Sequence, residues 1–492
     1  MKFTLISPYP DFRAYGIRSI STFLRNNGID VSTIYLLQPY ASPYKEIIFD
    51  QLAALISDSD LVGISVMSNY FMNCGQITRE LKKRLNISIV WGGVHATVAP
   101  EECLEYCDIA VMGEGEQTIL EILNASRLNN SSHNIEGTAV KLGGKIYRNK
   151  PRPLMPTEDL PIIDNDYSSD YILLKRQEIR KICFKTLKNF ITRDYMTLTS
   201  FGCPFSCSYC INNKLNKLYG GRIRFRKLDD VINEMVSAKS KMPFIKHITF
   251  DDDAFIKRNT EEIKKFAAEY KDKIKLPFFV SGVNPLLVSD EKIKILVDAG
   301  MNRIKMGIQS GSKISKTIYN RHITNEKIIS SARIINTYKK QMTLTGYDLI
   351  LDNPFETRKN ILETIALLSK LPAPFTLNLT SLTFYPGTDI HDKAVAAGYV
   401  KDNIKDVYRK LYHGPSNSYL NFIILLFAIG KIPDWLLSVL LNKKIVQKDI
   451  TIPGKIFQLF LLIGFARRGI DFLLKGDPYT FFRLVKYNPL AP

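Results

Sequence analysis

Short apolar runs recur through the first third of the chain, with amphipathic stretches between them. KFTLISP (2–8), VSTIYLL (31–37), LVGISVM (61–67), ISIVWGG (87–93) and IAVMGEG (109–115) read as buried strands. GIRSISTFLRNNG (16–28) and ITRELKKRL (77–85) carry the wider apolar spacing of helices. Strands alternating with helices predict βαβ units, and so an α/β domain over 1–150 built on a doubly wound, flavodoxin- or Rossmann-like parallel sheet. TAVKLGGKIYRN (138–149) predicts a hairpin turning at Gly143–Gly144 that closes this domain.

Residues 151–194 break the pattern. Prolines and aspartates give way to the basic stretch LKRQEIRKICFKTLKNFITR, which predicts a linker followed by a surface helix with Cys183 half-buried on it. A second series starts at Tyr195 with YMTLTSFG, HITFDDD, PFFVSG, RIKMGIQSG, LTGYDLIL and FTLNLTSLTFYPG, separated by helical segments such as LDDVINEMVSAKS and EEIKKFAAEYK. Six βα repeats over 195–400 predict a partial (β/α)6 barrel, in which chemistry collects at the C-terminal strand ends. Beyond residue 400 the alternation stops. YLNFIILLFAIG and IFQLFLLIGFA are apolar but shorter than the ~20 residues a spanning helix needs. Pro433 and Pro453 interrupt them, and Lys431, Lys443, Lys444, Arg467 and Arg468 punctuate them. The region 401–492 therefore reads as helical, either a cap packed on the barrel or an amphipathic element on a membrane surface.

Composition narrows the class. A chain of 492 residues, 45% hydrophobic and 23% charged, excludes disordered, collagen-like and polytopic membrane proteins. The net charge of +19 is uneven: residues 1–150 net −1, whereas 401–492 net +8. A basic excess of this kind admits an anionic cofactor, a nucleic acid or an anionic membrane surface. Seven cysteines are too few for a disulfide scaffold. The opening MKFTLISPYP lacks the pattern of a secretory signal, so a reducing cytoplasm is the expected location, with peripheral membrane contact open through 401–492.

Clustered cysteines in such a compartment point to metal or catalysis. TSFGCPFSCSYC places Cys203, Cys207 and Cys210 at C-x3-C-x2-C spacing just beyond the first strand of the second series. Structural zinc sites want four protein ligands, usually as paired knuckles. Three thiolates in one tight loop suit instead a [4Fe–4S] cluster with one iron left open for chemistry. Cys103 and Cys107, four apart, and Cys74 read as buried packing residues.

The loop and its setting resemble the radical S-adenosylmethionine superfamily. The resemblance implies that Cys203, Cys207 and Cys210 ligate the cluster, that the open iron binds S-adenosylmethionine, and that Tyr209 lies against its adenine. ITFDDDAF (248–255) is similar to the second-strand motif and places Asp253 near the site. GIQSG (307–311) resembles GIESG with Gln309 for Glu, which adds Gln309 and Ser310 to the cofactor side. NPFET (353–357) stands where G-x-P-G-E-T is usual, with Asp352 and Phe355 replacing both glycines, and Glu356 joins the same side. FYPGT (384–388) fits the end of the last strand.

The domain ahead of this barrel resembles the cobalamin-binding domain of the cobalamin-dependent subgroup. Its candidate contacts are Ser65, Met67, Ser68 and Asn69 after the third strand, Gly92, Gly93 and His95 after the fourth, and Gly113 and Glu114 after the fifth. Where classical cobalamin proteins carry D-x-H-x-x-G, this chain reads DFRAYG (11–16) with Arg13 in the histidine position, and a guanidinium cannot ligate cobalt. The resemblance implies a cobalamin held without a protein imidazole, an external electron donor, and methylation of an unactivated carbon on a hydrophobic or lipid-like small molecule. The same subgroup includes radical cyclases and rearrangement enzymes without methyl transfer. An RNA-modifying enzyme is a third reading, but it would carry further N-terminal cysteines and a C-terminal RNA-binding β-domain, so nucleic acid is not an expected partner.

Overall fold

The computed structural model describes residues 1–475 apart from 10, 11, 13, 41, 129–132, 176, 192 and 411–413; Arg13 and residues 476–492 thus lie outside the described residues. Contacts divide the chain into two compact units. The first comprises Met1–Met196, Tyr209–Ile245 and Phe384–Lys410; the second comprises Thr197–Ser208, Lys246–Thr383 and Leu411–Pro492.

The first unit is built on the predicted strands: β1 (Lys2–Ser7), β2 (Asp30–Tyr35), β3 (Leu61–Ser65), β4 (Ile89–Gly92) and β5 (Ile109–Val111). They run parallel in the order β5-β4-β3-β1-β2. β1 is buried almost throughout, its polar Thr4 and Ser7 included, because helices cover both faces of such a sheet. The order reverses between β1 and β3, and ligands of open α/β sheets bind beyond the carboxyl ends of the strands at that reversal. β6 (Thr138–Leu142) and β7 (Lys145–Arg148) form the predicted hairpin, with Gly143 and Gly144 both at positive φ as a tight two-residue turn requires.

The segment expected to be a linker differs from the sequence reading. Tyr171–Leu174 (β8) and Glu178–Lys181 (β9) form a hairpin that extends the sheet beyond β2, giving nine strands among the described residues. Asp170 locks it in place: its carboxylate accepts the Thr33 N–H at 2.8 Å, and its carbonyl accepts the Ile182 N–H at 2.8 Å. Gln51 adds two more bonds, from the Ile179 N–H at 2.8 Å and to the Gln177 carbonyl at 2.9 Å. The charged residues of β9 suit an edge strand, which is why they read as a surface helix in sequence. The helix of this region is the shorter Phe184–Phe190, and Cys183 at its start is exposed rather than half-buried.

The second unit carries the βα series. β10 (Asp194–Thr197) ends in it at Thr197; β11 (His247–Phe250), β12 (Phe278–Val283), β13 (Met301–Gln309), β14 (Leu344–Leu351) and β15 (Thr376–Ser381) follow as parallel neighbours in sequential order. Polar caps start the intervening helices, among them an Asn259–Glu262 capping box on Thr260–Lys273. Helix Tyr419–Ile429 buries Leu420, Ile423, Ile424, Leu425 and Phe427, packing on β15, helix Arg358–Ser369 and helix Gly454–Leu474. That element is a cap. Among the described residues no helix is long and apolar enough to cross a membrane.

Candidate functional site

The segment leading into the cysteine loop is held by a buried carboxylate. Asp252, at the end of β11, accepts the Thr199 N–H and Oγ1–H, both at 2.8 Å, and the Ser200 hydroxyl at 2.7 Å, all on one oxygen. Arg258 donates to the Thr199 carbonyl at 2.8 Å, so Thr199 is gripped from both ends of its peptide. The second Asp252 oxygen is buried without a hydrogen-bond partner. Burial pushes this carboxyl up to about 6, although the Ser200 and Thr199 bonds oppose the shift. Gly282 makes room for the turn: at φ +67° its missing Cβ would sit 2.7 Å from the Asp252 carbonyl oxygen. Asp253, the residue singled out from sequence, is exposed.

Within the loop Cys203 is half-buried and Cys207 buried, and Tyr209 and Cys210 are half-buried at the start of helix Ile211–Tyr219. None of the three cysteines is in a disulfide. Burial raises the Cys203 thiol to about 11, and Asp253 and Cys207 add to the rise, so ligation would need a cationic partner to drive off its proton. Among the described residues no three His, Cys, Asp or Glu side chains are gathered tightly enough to hold a metal ion. A cubane differs in its demand, since each thiolate binds its own iron and the three need not converge on one point. Three soft, disulfide-free donors on one loop fit that group.

β13 ends in the GIQSG motif. Its pairing with β14 shifts register between Gly307 and Gln309, and Gln309 is left-handed at φ +68°. The structure brings two predicted residues together: Ser310 donates to Glu356 at 3.3 Å. Ser315 donates to the same Glu356 oxygen at 2.5 Å, and Thr364 contacts the Ser310 hydroxyl at 3.1 Å. Burial raises the Glu356 carboxyl above its usual range while the serines pull it back. Ser310 is buried, so it braces the loop, and Gln309 is the more accessible member of the pair.

In the first unit the predicted contacts Ser65, Ser68, Asn69, Gly92, Gly93 and Gly113 lie at or just past the carboxyl ends of β3, β4 and β5. Gly93, at φ +108°, admits the Val66 carbonyl where a Cβ would come within 2.9 Å of it. Ser65 bonds the Tyr9 hydroxyl at 2.9 Å, and Tyr9 meets the Tyr70 ring edge-on at 5.2 Å. Two expected contacts point elsewhere. Glu114 pairs with Arg224 and accepts the Met155 N–H at 2.7 Å. His95 is fully buried, its Nδ1 3.0 Å from the Ser68 hydroxyl and its ring against Phe71 and Tyr408, and burial lowers it to about 4. Met67 and Val94 are the exposed apolar side chains of this edge. An apolar crest whose histidine is withdrawn into the core fits a corrin held without an imidazole ligand.

Arg321 and Asp252 are the residues that sequence reasoning missed, and Asp352 was read only as a departure from the usual glycine. Asp252 sat inside ITFDDDAF and Asp352 directly before NPFET, whereas Arg321 lies in TIYNRHIT, which carries no signal of its own.

Two families known from other proteins match separate stretches of the chain. The B12 binding domain family matches residues 1–123 and the radical SAM superfamily matches residues 197–368. An uncharacterized methyltransferase of Pyrococcus horikoshii is 28% identical over 72% of this chain and 73% of its own. Bacteriochlorophyllide d C-8(2)-methyltransferase of Chlorobaculum tepidum is 22% identical over 88% of both chains. The anaerobic magnesium-protoporphyrin IX monomethyl ester cyclase of Cereibacter sphaeroides is 25% identical over 68% of this chain and 54% of its own. The fold resembles that of the radical S-adenosylmethionine methyltransferase TsrM from Kitasatospora setae, with a TM-score of 0.65 at 18% identity over 81% of this chain and 77% of that one.

Proposed function

Because the chain belongs to the cobalamin-dependent radical SAM enzymes, with a B12 binding domain followed by a radical SAM domain, we propose that it methylates an unactivated carbon of a hydrophobic, lipid-like small molecule. The observation that carries the methyl-transfer reading is the alignment with a methyltransferase over 88% of both chains. The cyclase relative, matched over 54% of its length, supports ring closure as the second reading.

When bound, the cluster would supply the electron that cleaves S-adenosylmethionine to methionine and a 5′-deoxyadenosyl radical, and cobalamin would supply the methyl group. The chain's own share is position and exclusion. Cys203, Cys207 and Cys210 would hold the cluster, with Asp252 and Arg258 fixing the strand end that precedes them. Tyr209, Gln309 and the Ser310–Glu356 brace would orient S-adenosylmethionine. Met67 and Val94 would keep water from the corrin face. In this reading 1–150 carries cobalamin, 151–194 joins it to the rest, 195–400 carries the radical chemistry, and 401–492 meets the medium in which the substrate lies.

That last assignment rests on helix Gly454–Leu474. Ile456, Leu459, Ile463, Ile470 and Leu474 are exposed and recur on one helical stripe, and Trp435 and Val439 are exposed nearby in sequence. The lysines at 431, 443, 444, 448 and 455 add positive charge, so the occupant we propose is an anionic membrane surface.

The test of methyl transfer uses protein reconstituted anaerobically with iron, sulfide and cobalamin, given methyl-labelled S-adenosylmethionine and a lipid extract of the host cell. Label in a new organic-phase product is expected. Formation of 5′-deoxyadenosine with an unlabelled new product would replace methyl transfer by cyclisation or rearrangement.

A further inference from the structure

One turn of chain grips the middle of the cysteine loop. After helix Lys313–Ile318, the Ser208 hydroxyl donates to the Ile318 carbonyl at 2.7 Å and the Ser208 N–H to the Tyr319 carbonyl at 2.9 Å. The Asn320 side chain donates to the Ser206 carbonyl at 2.8 Å, and Asn320 adopts φ +48° to reach it. Arg321 completes the grip. One guanidinium nitrogen lies 3.5 Å from the Cys207 sulfur, and the other donates to the Gly307 carbonyl at 2.6 Å. Residues 206, 207 and 208 are thus each bonded to the same short turn.

Arg321 is 8% exposed, and among the described residues no carboxylate pairs with it. A buried guanidinium without an anion is costly, and its charge cannot be shed by losing a proton. Its geometry points to the anion it awaits. The Gly307 bond, made by Nη2, holds the planar fork in place with Nη1 at the Cys207 sulfur, while Nε is buried without a hydrogen-bond partner. That sulfur becomes a thiolate when it ligates metal. Gly307 keeps the approach open, for a Cβ there would stand 3.4 Å from the guanidinium and 2.7 Å from the Gln309 amide nitrogen.

We propose that Arg321 is a positioning residue for the iron–sulfur cluster: it fixes Cys207 through an N–H···S bond and, by its buried charge, favours the reduced cluster. The inference rests on the radical SAM reading of the cysteine loop. Hydrogen bonds and net charge at cluster sulfurs set reduction potential, and adding an electron makes the cluster more negative. A fixed positive charge beside one ligand stabilises that state. Arg321 also links the loop to β13, the strand that ends at Gln309, so cluster position and cofactor-side geometry share one support.

The experiment is an EPR-monitored redox titration of the reconstituted full chain without S-adenosylmethionine, in wild type, Arg321→Gln and Arg321→Lys, each normalised to cluster content. At the wild-type midpoint, Arg321→Gln should show about tenfold less reduced relative to oxidised cluster, equal to about 59 mV for one electron. Arg321→Lys keeps the charge but cannot reach Cys207 and Gly307 together, and should fall about threefold. An unchanged midpoint in Arg321→Gln at full cluster content overturns the proposal. If that variant holds no cluster, Arg321→Lys decides, and a wild-type midpoint there overturns it. Wild-type protein that takes up no [4Fe–4S] cluster would instead overturn the radical SAM reading itself.

Discussion

Asp252 shows how burial singles out one carboxylate from a run that the sequence leaves undivided. The run Asp251–Asp253 follows β11, and sequence alone offers three equivalent carboxylates. Burial separates them: Asp252 is 1% exposed, with three donors on one oxygen and none on the other. Its carboxyl is raised to about 6 from an ordinary 3.8, so the folded state holds the proton more tightly than the unfolded chain. Stability from this group is therefore complete below about pH 4 and is lost as pH rises through 6. Asp252→Asn keeps the accepting oxygen and removes the titration. The variant should gain on wild type between pH 4 and 7 by up to roughly 3 kcal/mol, since each tenfold change in proton affinity is worth about 1.4 kcal/mol. Parallel thermal melts of the metal-free protein across that range measure it. A difference that stays flat with pH would show that the buried carboxyl is not the group that titrates.

Elements were legible where periodicity was strong. The eleven apolar runs read as strands all hold β-strands, and the Gly143–Gly144 hairpin is where the turn chemistry puts it. The hairpin Tyr171–Lys181 was hidden, because two four-residue strands are too short for alternation and their anchors, Thr33 and Gln51, are over a hundred residues away. Asp352, directly before NPFET, was legible only as a departure from the usual glycine. In the structure Asp352 sits at φ +56°, and its carboxylate accepts the Ser416 N–H at 2.9 Å, the Ser416 hydroxyl at 2.6 Å and the Asn421 amide at 2.8 Å. It therefore ties the barrel to the first turn of helix Tyr419–Ile429. Asp352→Gly restores the usual residue and eases the backbone, yet strips these bonds, which are worth about 1–3 kcal/mol in sum at a half-exposed site. Hydrogen exchange across 419–429 should speed up roughly tenfold or more, while the amides of β12 and β13 keep their protection. Unaltered exchange in 419–429 would mean that the cap is held by its apolar face alone.

At the scale of the whole chain, the uneven charge is the property still in need of a partner. The +8 of 401–492 accompanies a helix, Gly454–Leu474, about 30 Å long at 1.5 Å per residue, whose stripe from Ile456 to Leu474 is apolar and exposed apart from a half-buried Arg467. Each half of the amphipathic argument makes its own demand. Apolar contact alone would bind neutral and anionic bilayers alike and resist salt, whereas charge alone would bind anionic bilayers and fail at high salt. Both together predict flotation with anionic vesicles that weakens, without vanishing, between about 0.1 and about 0.5 M salt. Leu459→Glu with Ile463→Glu places two charges at the centre of the stripe, where Leu459 is 53% and Ile463 40% exposed, so folding should survive and flotation should fall at least tenfold. Reversing Lys443 and Lys444 to Glu should remove the salt-sensitive part only. If wild type fails to float yet the Glu pair converts a dimer to a monomer, the stripe is a contact between copies of this chain and the membrane reading falls. If neither flotation nor oligomeric state changes, the lipid-like substrate loses its structural support.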